Sequence, residues 1–142
     1  MNSEPALIPA ILLSDMAIRE MMTGKVSYIG SFQSFTVPAF PYPVAPFFVT
    51  PFVTNLSDVT TLSLTARIEN PENGVVLASS AIGIAFGRPS KRNEIYEIPI
   101  PMGSIVFSAP FNYRVVILVN NEKIGDRELA VLSTTPPPQQ QQ

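Results

Sequence analysis

The sequence predicts an all-β chain, folded as a two-sheet antiparallel sandwich. Fifteen prolines, scattered from Pro5 to Pro138, leave little room for a long helix, because an internal proline removes a hydrogen bond and clashes with the preceding turn. In the clearest segments, apolar residues recur at every second position, the period of a half-buried strand. Turn-forming residues interrupt these segments every dozen or so positions, as short strands joined by hairpins require.

Taken in order, Leu7–Leu13 is the first strand candidate. Asp15 to Gly24 is the one helical candidate, of one or two turns at most. Asp15 stands where a cap would, Met16–Met22 favours helix, and Gly24 occupies the place of a terminal glycine. Lys25–Phe32 returns to strand. Pro38–Pro46 alternates proline with larger groups and is expected to run extended, near polyproline II, along the outside of the sheets. Phe47–Thr54 is a strand that is apolar on both faces. Thr61–Glu69 is the clearest strand, with Leu62, Leu64, Ala66 and Ile68 on one face and polar residues on the other. Asn73-Gly74 then suits a type I′ hairpin. Val75–Phe86 comes back, with Gly83 expected as a bulge or point of close approach. Glu94–Ile100, Tyr113–Val119 and Glu128–Ser133 complete the set, the last two joined through Asn120-Asn121 with Gly125 nearby.

Seven or eight such strands suggest an immunoglobulin-like sandwich, in architecture only, since that fold's Cys–Trp–Cys signature is absent. The sandwich is assigned to residues 1–133. Residues 134–142, ending in prolines and glutamines, cannot bury a core and are expected to form a flexible tail.

Composition excludes much chemistry. The 142 residues contain neither cysteine nor histidine. Disulfides, thiolate nucleophiles, histidine bases and the usual zinc ligand sets are therefore ruled out in one stroke. No catalytic, cofactor-binding or metal-binding residues are assigned, and the chain is read as a non-enzyme. Its net charge of −2 and the single cluster Arg88, Lys91 and Arg92 do not make a nucleic-acid surface. No apolar stretch is long enough to insert in a membrane. The first cation, Arg19, follows rather than precedes the apolar run Ala6–Leu13, so no secretory signal is read and a cytoplasmic location is expected.

The densest polar constellation is Asp15, Arg19, Glu20 and Lys25. As chemistry, it offers a carboxylate pair with two cationic partners. As structure, it offers a cap and local ion pairs, the reading preferred without histidine or a phosphate-binding glycine loop. The pattern Asp-x-x-x-Arg-Glu-x-x-x-Gly-Lys-x-x-x-x-Gly-x-Phe, from Asp15 to Phe32, resembles the opening of an uncharacterised bacterial family of small β-sandwich domains. Members of that family often carry Cys-Asp where this chain has Ser14-Asp15. The resemblance implies a sandwich and no assigned activity.

Tyr28, Tyr42, Tyr96 and Tyr113 could stack on sugars if they shared a face. Asn55-Leu56-Ser57 matches a glycosylation sequon, and Met16, Met21 and Met22 read as core filler or as an adaptable contact surface. The most informative quantity is the charged fraction, 14%, against about 25% in ordinary soluble domains. So charge-poor an exterior resembles an interface. The expected function is therefore a structural or interaction module that pairs with itself or with another protein through strand edges and the Pro-rich segment. Its expected surface comprises Tyr113, Val116, Leu118, Phe48 and Phe52. The alternative is a glycan- or small-molecule-binding sandwich.

Overall fold

A computed structural model describes residues 5–134. It contains twelve strands and, among the described residues, no helix. The first sheet comprises β1 (Leu7–Arg19), β2 (Val26–Phe32), β5 (Phe47–Thr54), β8 (Tyr96–Glu97) and β9 (Ile100–Met102). Its order is β2-β1-β5, with β8 and β9 both on the far side of β5. The second sheet comprises β3 (Ser34–Val37), β6 (Thr61–Glu69), β7 (Val76–Ala85), β11 (Phe111–Val119) and β12 (Glu122–Ser133). Its order is β3-β12-β11-β6-β7. A two-stranded ribbon of β4 (Tyr42–Val44) and β10 (Ile105–Phe107) forms a third.

The all-β expectation holds, while three of its details are corrected. There are more strands than the seven or eight expected, because pieces of two to four residues are too short to show a period. The pairing is not wholly antiparallel, since β3 runs parallel to β12. The helical turn at Asp15 is absent, because β1 continues through Asp15 to Arg19. The tail expected at 134–142 lies, apart from Thr134, outside the described residues.

Alternation places the core. Leu62, Leu64, Ala66 and Ile68 of β6 are buried, as the period-two pattern requires, and face Leu13, Val49 and Val53 of the first sheet. Phe32, Phe35, Phe47, Phe107 and Tyr113 form an aromatic chain through this core, with centroids 4.6 to 6.0 Å apart. The Pro-rich segment is integral to the fold rather than laid over it. Its prolines point outward, while Phe40, Tyr42 and Val44 pack on the core. Pro43 sits opposite Val106 in the β4–β10 ribbon, an edge strand where its missing donor is tolerated.

Two hairpins use one loop design. Gly24 N–H donates to the Glu20 carbonyl (2.9 Å), and Glu20 N–H donates to that of Lys25 (2.8 Å). The same bonds join Gly74 to Asn70 and Asn70 to Val75 (2.8 and 2.9 Å). Both glycines adopt positive φ, +70° and +74°, which costs them nothing. Asn73 has no such φ, so this loop is not type I′. That geometry belongs instead to Asn120-Asn121, φ +49° and +69°. Gly83 keeps its register opposite Ser63 and has no close neighbour, so it is neither a bulge nor a contact point.

The registers require β1 and β2 to bend. Ser14 lies opposite Phe48 on β5, and Glu97 lies opposite Phe52 on that strand's other side. In a flat sheet Arg19 would stand about nine residues, or about 30 Å, from Glu97. Instead an Arg19 side-chain nitrogen meets the Glu97 carbonyl at 3.0 Å. The tip of the β1–β2 hairpin therefore folds back across β5 towards β8. The ladder skips one pair, Asp15 with Gly30, and there Gly30 adopts φ +68° beneath the Asp15 carboxyl. A Cβ on Gly30 would sit 2.9 Å from Asp15 Cγ.

The fold-back explains an otherwise odd burial. Ser14 and Thr50 alternate with core residues Leu13 and Val49, so they point away from the core, yet both are fully buried. The Ser14 hydroxyl has no hydrogen-bond partner among the described residues, while the Thr50 hydroxyl lies beside the Tyr28 phenol. An unsatisfied buried donor is costly. Ser14→Ala is thus expected to raise stability by about 1 kcal/mol in denaturant unfolding. Gly24→Ala should cost about 1 kcal/mol for backbone conformation alone. Gly30→Ala should cost about 1 kcal/mol more, because Asp15 must also move. That excess should vanish in an Asp15→Ala background, which a double-mutant cycle reads directly.

Candidate functional site

The polar constellation of the sequence belongs to the bent hairpin. Arg19 Nη1 donates to the Gly24 carbonyl at 2.8 Å and Nη2 to that of Glu97 at 3.0 Å. One guanidinium thus ties the loop to β8. Glu20 accepts a hydrogen bond from the Thr23 hydroxyl at 2.7 Å, and Lys25 makes no ion pair with a described residue. Asp15 is not a helix cap but a mid-strand residue over Gly30. Asp15 and Glu20 stand five residues apart on extended chain, about 17 Å, so they do not form a carboxylate pair. Gly24 does have the conformation expected of it, in a hairpin rather than at a helix end.

Beneath the hairpin lies an open cleft of about 880 Å³. Ala17, Arg19, Gly24, Lys25 and Val26 line it from the hairpin, and Ile82, Ile84 and Phe86 from the end of β7. Ile95, Tyr96, Glu97, Ile98 and Pro99 complete it from the β8 segment. The cleft opens where the two sheets part. Further along the seam they are joined, through a Ser80 Oγ–Pro101 carbonyl hydrogen bond of 2.8 Å. On the opposite seam Arg127 donates to the Ile11 carbonyl (2.9 Å) and the Gln33 side chain (2.6 Å).

Glu97 is the cleft's one carboxylate, and it is occupied. The Tyr28 phenol donates to Glu97 Oε2 at 2.5 Å. Burial first, and then this hydrogen bond, hold the phenol well above its ordinary pKa. Tyr96 is also raised, by burial and by its 2.6 Å bond to Glu94. Tyr113 is raised by burial, and it donates to the Ala109 carbonyl at 2.9 Å. The four tyrosines lie on β2, β4, β8 and β11, so they do not form one stacking platform.

The other sequence candidates are placed as follows. Tyr113, Val116 and Leu118 are buried within the chain, the last two at 3% and 7% exposure. Strand β11 is central, so Val116 is flanked by Arg67 and Asp126, and Leu118 by Thr65 and Lys123. The outer face of β11 that was expected to meet a partner is thus already closed to solvent within the chain. Phe48 and Phe52 are half-buried. Asn55 has its side-chain amide engaged with the Pro5 carbonyl and the Arg92 guanidinium. Arg88 pairs with Glu94 at 3.4 Å.

The methionines are the larger surprise. They are not core filler: Met21 and Met22 are fully exposed at the hairpin tip, and Met16 is about half exposed. Met16 lies opposite Ile29, and Ile29 and Ile18 are exposed too. The sequence carried this signal as alternation in Met16 to Ile18 and in the facing strand, masked by the helix-favouring composition of the same stretch.

The sign of the tyrosine shift gives a test. A phenol whose pKa is raised on folding keeps its proton where the unfolded chain has lost it. The associated stability is complete below the ordinary value near 10.0 and is lost as pH rises past it. Chemical unfolding at about pH 9 and about pH 11 should show a fall in stability that is smaller for Tyr28→Phe than for the parent chain.

No helix among the described residues is long and apolar enough to cross a membrane. No curated protein matches this sequence. The cleft lies wholly within residues 9–132, and the sheets nearly so, the span matched by a family model described as a family of unknown function, DUF6941, and the chain belongs to that family.

Proposed function

We propose that this chain is a non-enzymatic interaction module that associates with copies of itself through the outer face of the β1–β2 hairpin. One observation carries the proposal. Met16, Ile18 and Ile29, with Met21 and Met22 at the tip, are exposed together on one hairpin, with no charged side chain among these five. Contiguous exposed apolar groups of this kind mark interaction sites, and methionines adapt their shape to a partner. Strand β2 is also the edge of its sheet and carries no charge and no proline to discourage pairing. The low overall charge of the chain supports the same reading. A second copy is the natural occupant, because a surface with two apolar strands and an open edge is self-complementary under two-fold symmetry.

The test is mass in solution. Light scattering at tens of micromolar should give a mass above the 15.5 kDa chain. The double substitution Met16→Lys/Ile29→Lys should weaken association about tenfold or more and leave the melting temperature nearly unchanged, because both sites are exposed. Val116→Lys, by contrast, should unfold the chain rather than dissociate it. A parent chain that is monomeric throughout this range overturns the proposal.

A further inference from the structure

We infer that the cleft beneath the hairpin is a binding site for a small amphipathic acid, an apolar body carrying one anionic head. The wall supplied by Ile82, Ile84, Phe86 and Ile98 is apolar, and such a surface gains by covering a hydrocarbon or ring. The opposite rim carries Arg19 and Lys25. Arg19 spends its hydrogen bonds on two carbonyl oxygens, and Lys25 has no ionic partner among the described residues. Neither positive charge is cancelled by a contacting carboxylate. The one carboxylate lining the cleft, Glu97, is bound to the Tyr28 phenol. The cleft therefore presents two cations against one carboxylate, a net positive rim beside an apolar wall, in a volume of about 880 Å³ that is typical of small-molecule sites.

A cationic amphiphile would meet like charge at this rim, and a polar sugar would leave the isoleucine wall uncovered. The amphipathic acid satisfies both ends at once. The site is distinct from the proposed association surface, since one uses the inner and the other the outer side of the hairpin.

Decanoate is the probe, titrated into the full chain by calorimetry well below its micelle concentration, with decylamine as the charge-reversed control. Saturable decanoate binding is expected, at least about tenfold tighter than any decylamine binding. Lys25→Glu and Ile95→Asp, both at exposed positions, should each weaken it about tenfold or more while leaving the melting temperature in place. Binding should persist in the Met16→Lys/Ile29→Lys chain, so the loss of one property does not entail loss of the other. Absence of saturable binding, equal affinity for decylamine, or undiminished binding by both cleft variants would overturn the assignment.

Discussion

Folding a hairpin back over its own sheet sets two physical demands, and both are met at single points. The strands must leave their ladder without breaking it, and the returning arm must be held against a sheet with which it has no backbone pairing. Gly30 meets the first by adopting a left-handed conformation opposite Asp15, where one pair of the ladder is missing. Arg19 meets the second by bonding at once to the loop of its own hairpin and to the Glu97 backbone, with the Tyr28–Glu97 bond beside it. The cleft, the burial of Ser14 and Thr50 and the outward face of Met16 and Ile29 all follow from this one bend. Were the hairpin straight, Ser14 and Thr50 would be solvated and the cleft would have no roof.

The scarcity of charge takes on a meaning in this frame. Arg19 and Arg127 both donate to main-chain carbonyls of strands far away in sequence. Arginine suits this use because its planar fork can reach two acceptors without neutralisation by an acid. Cations that would solubilise an ordinary domain are here employed as clasps, one at the hairpin and one at the seam between β1 and β12. Much of what faces solvent on the hairpin is then left to methionine and isoleucine.

The regular strands were legible in the sequence because their signal is local. Thr61–Glu69 alternates cleanly and lies between two partners, so its pattern and its environment agree. The short strands were legible only in outline: the one strand expected over Glu94–Ile100 is two, Tyr96–Glu97 and Ile100–Met102, each paired along the same edge of β5. The outer face of β11 misled for a related reason. Val116 and Leu118 look unpartnered along the chain, yet the register flanks them with residues of β6 and β12, and both are buried. The Pro-rich segment likewise became a strand where β10 met it.

The hairpin motif shows most plainly where sequence reasoning ends. A glycine in the left-handed conformation that bonds back to the carbonyl four residues before it closes a helix, and the same bond closes this loop. Asp15 through Gly24 is therefore locally consistent with a capped turn and with a hairpin. Helix propensity in Met16–Met22 favours the first by tenths of a kcal/mol per residue at most. Cross-strand pairing from Met16–Ile29 to Arg19–Val26, and the anchor to Glu97 78 residues away, outweigh it. Those partners are non-local, and nothing in the spacing of Asp15, Arg19, Glu20 and Lys25 names them. The same residues that look like a catalytic cluster on paper are thus the hinge, clasp and rim of a folded arm, and their chemistry is decided by what lies on the far side of β5.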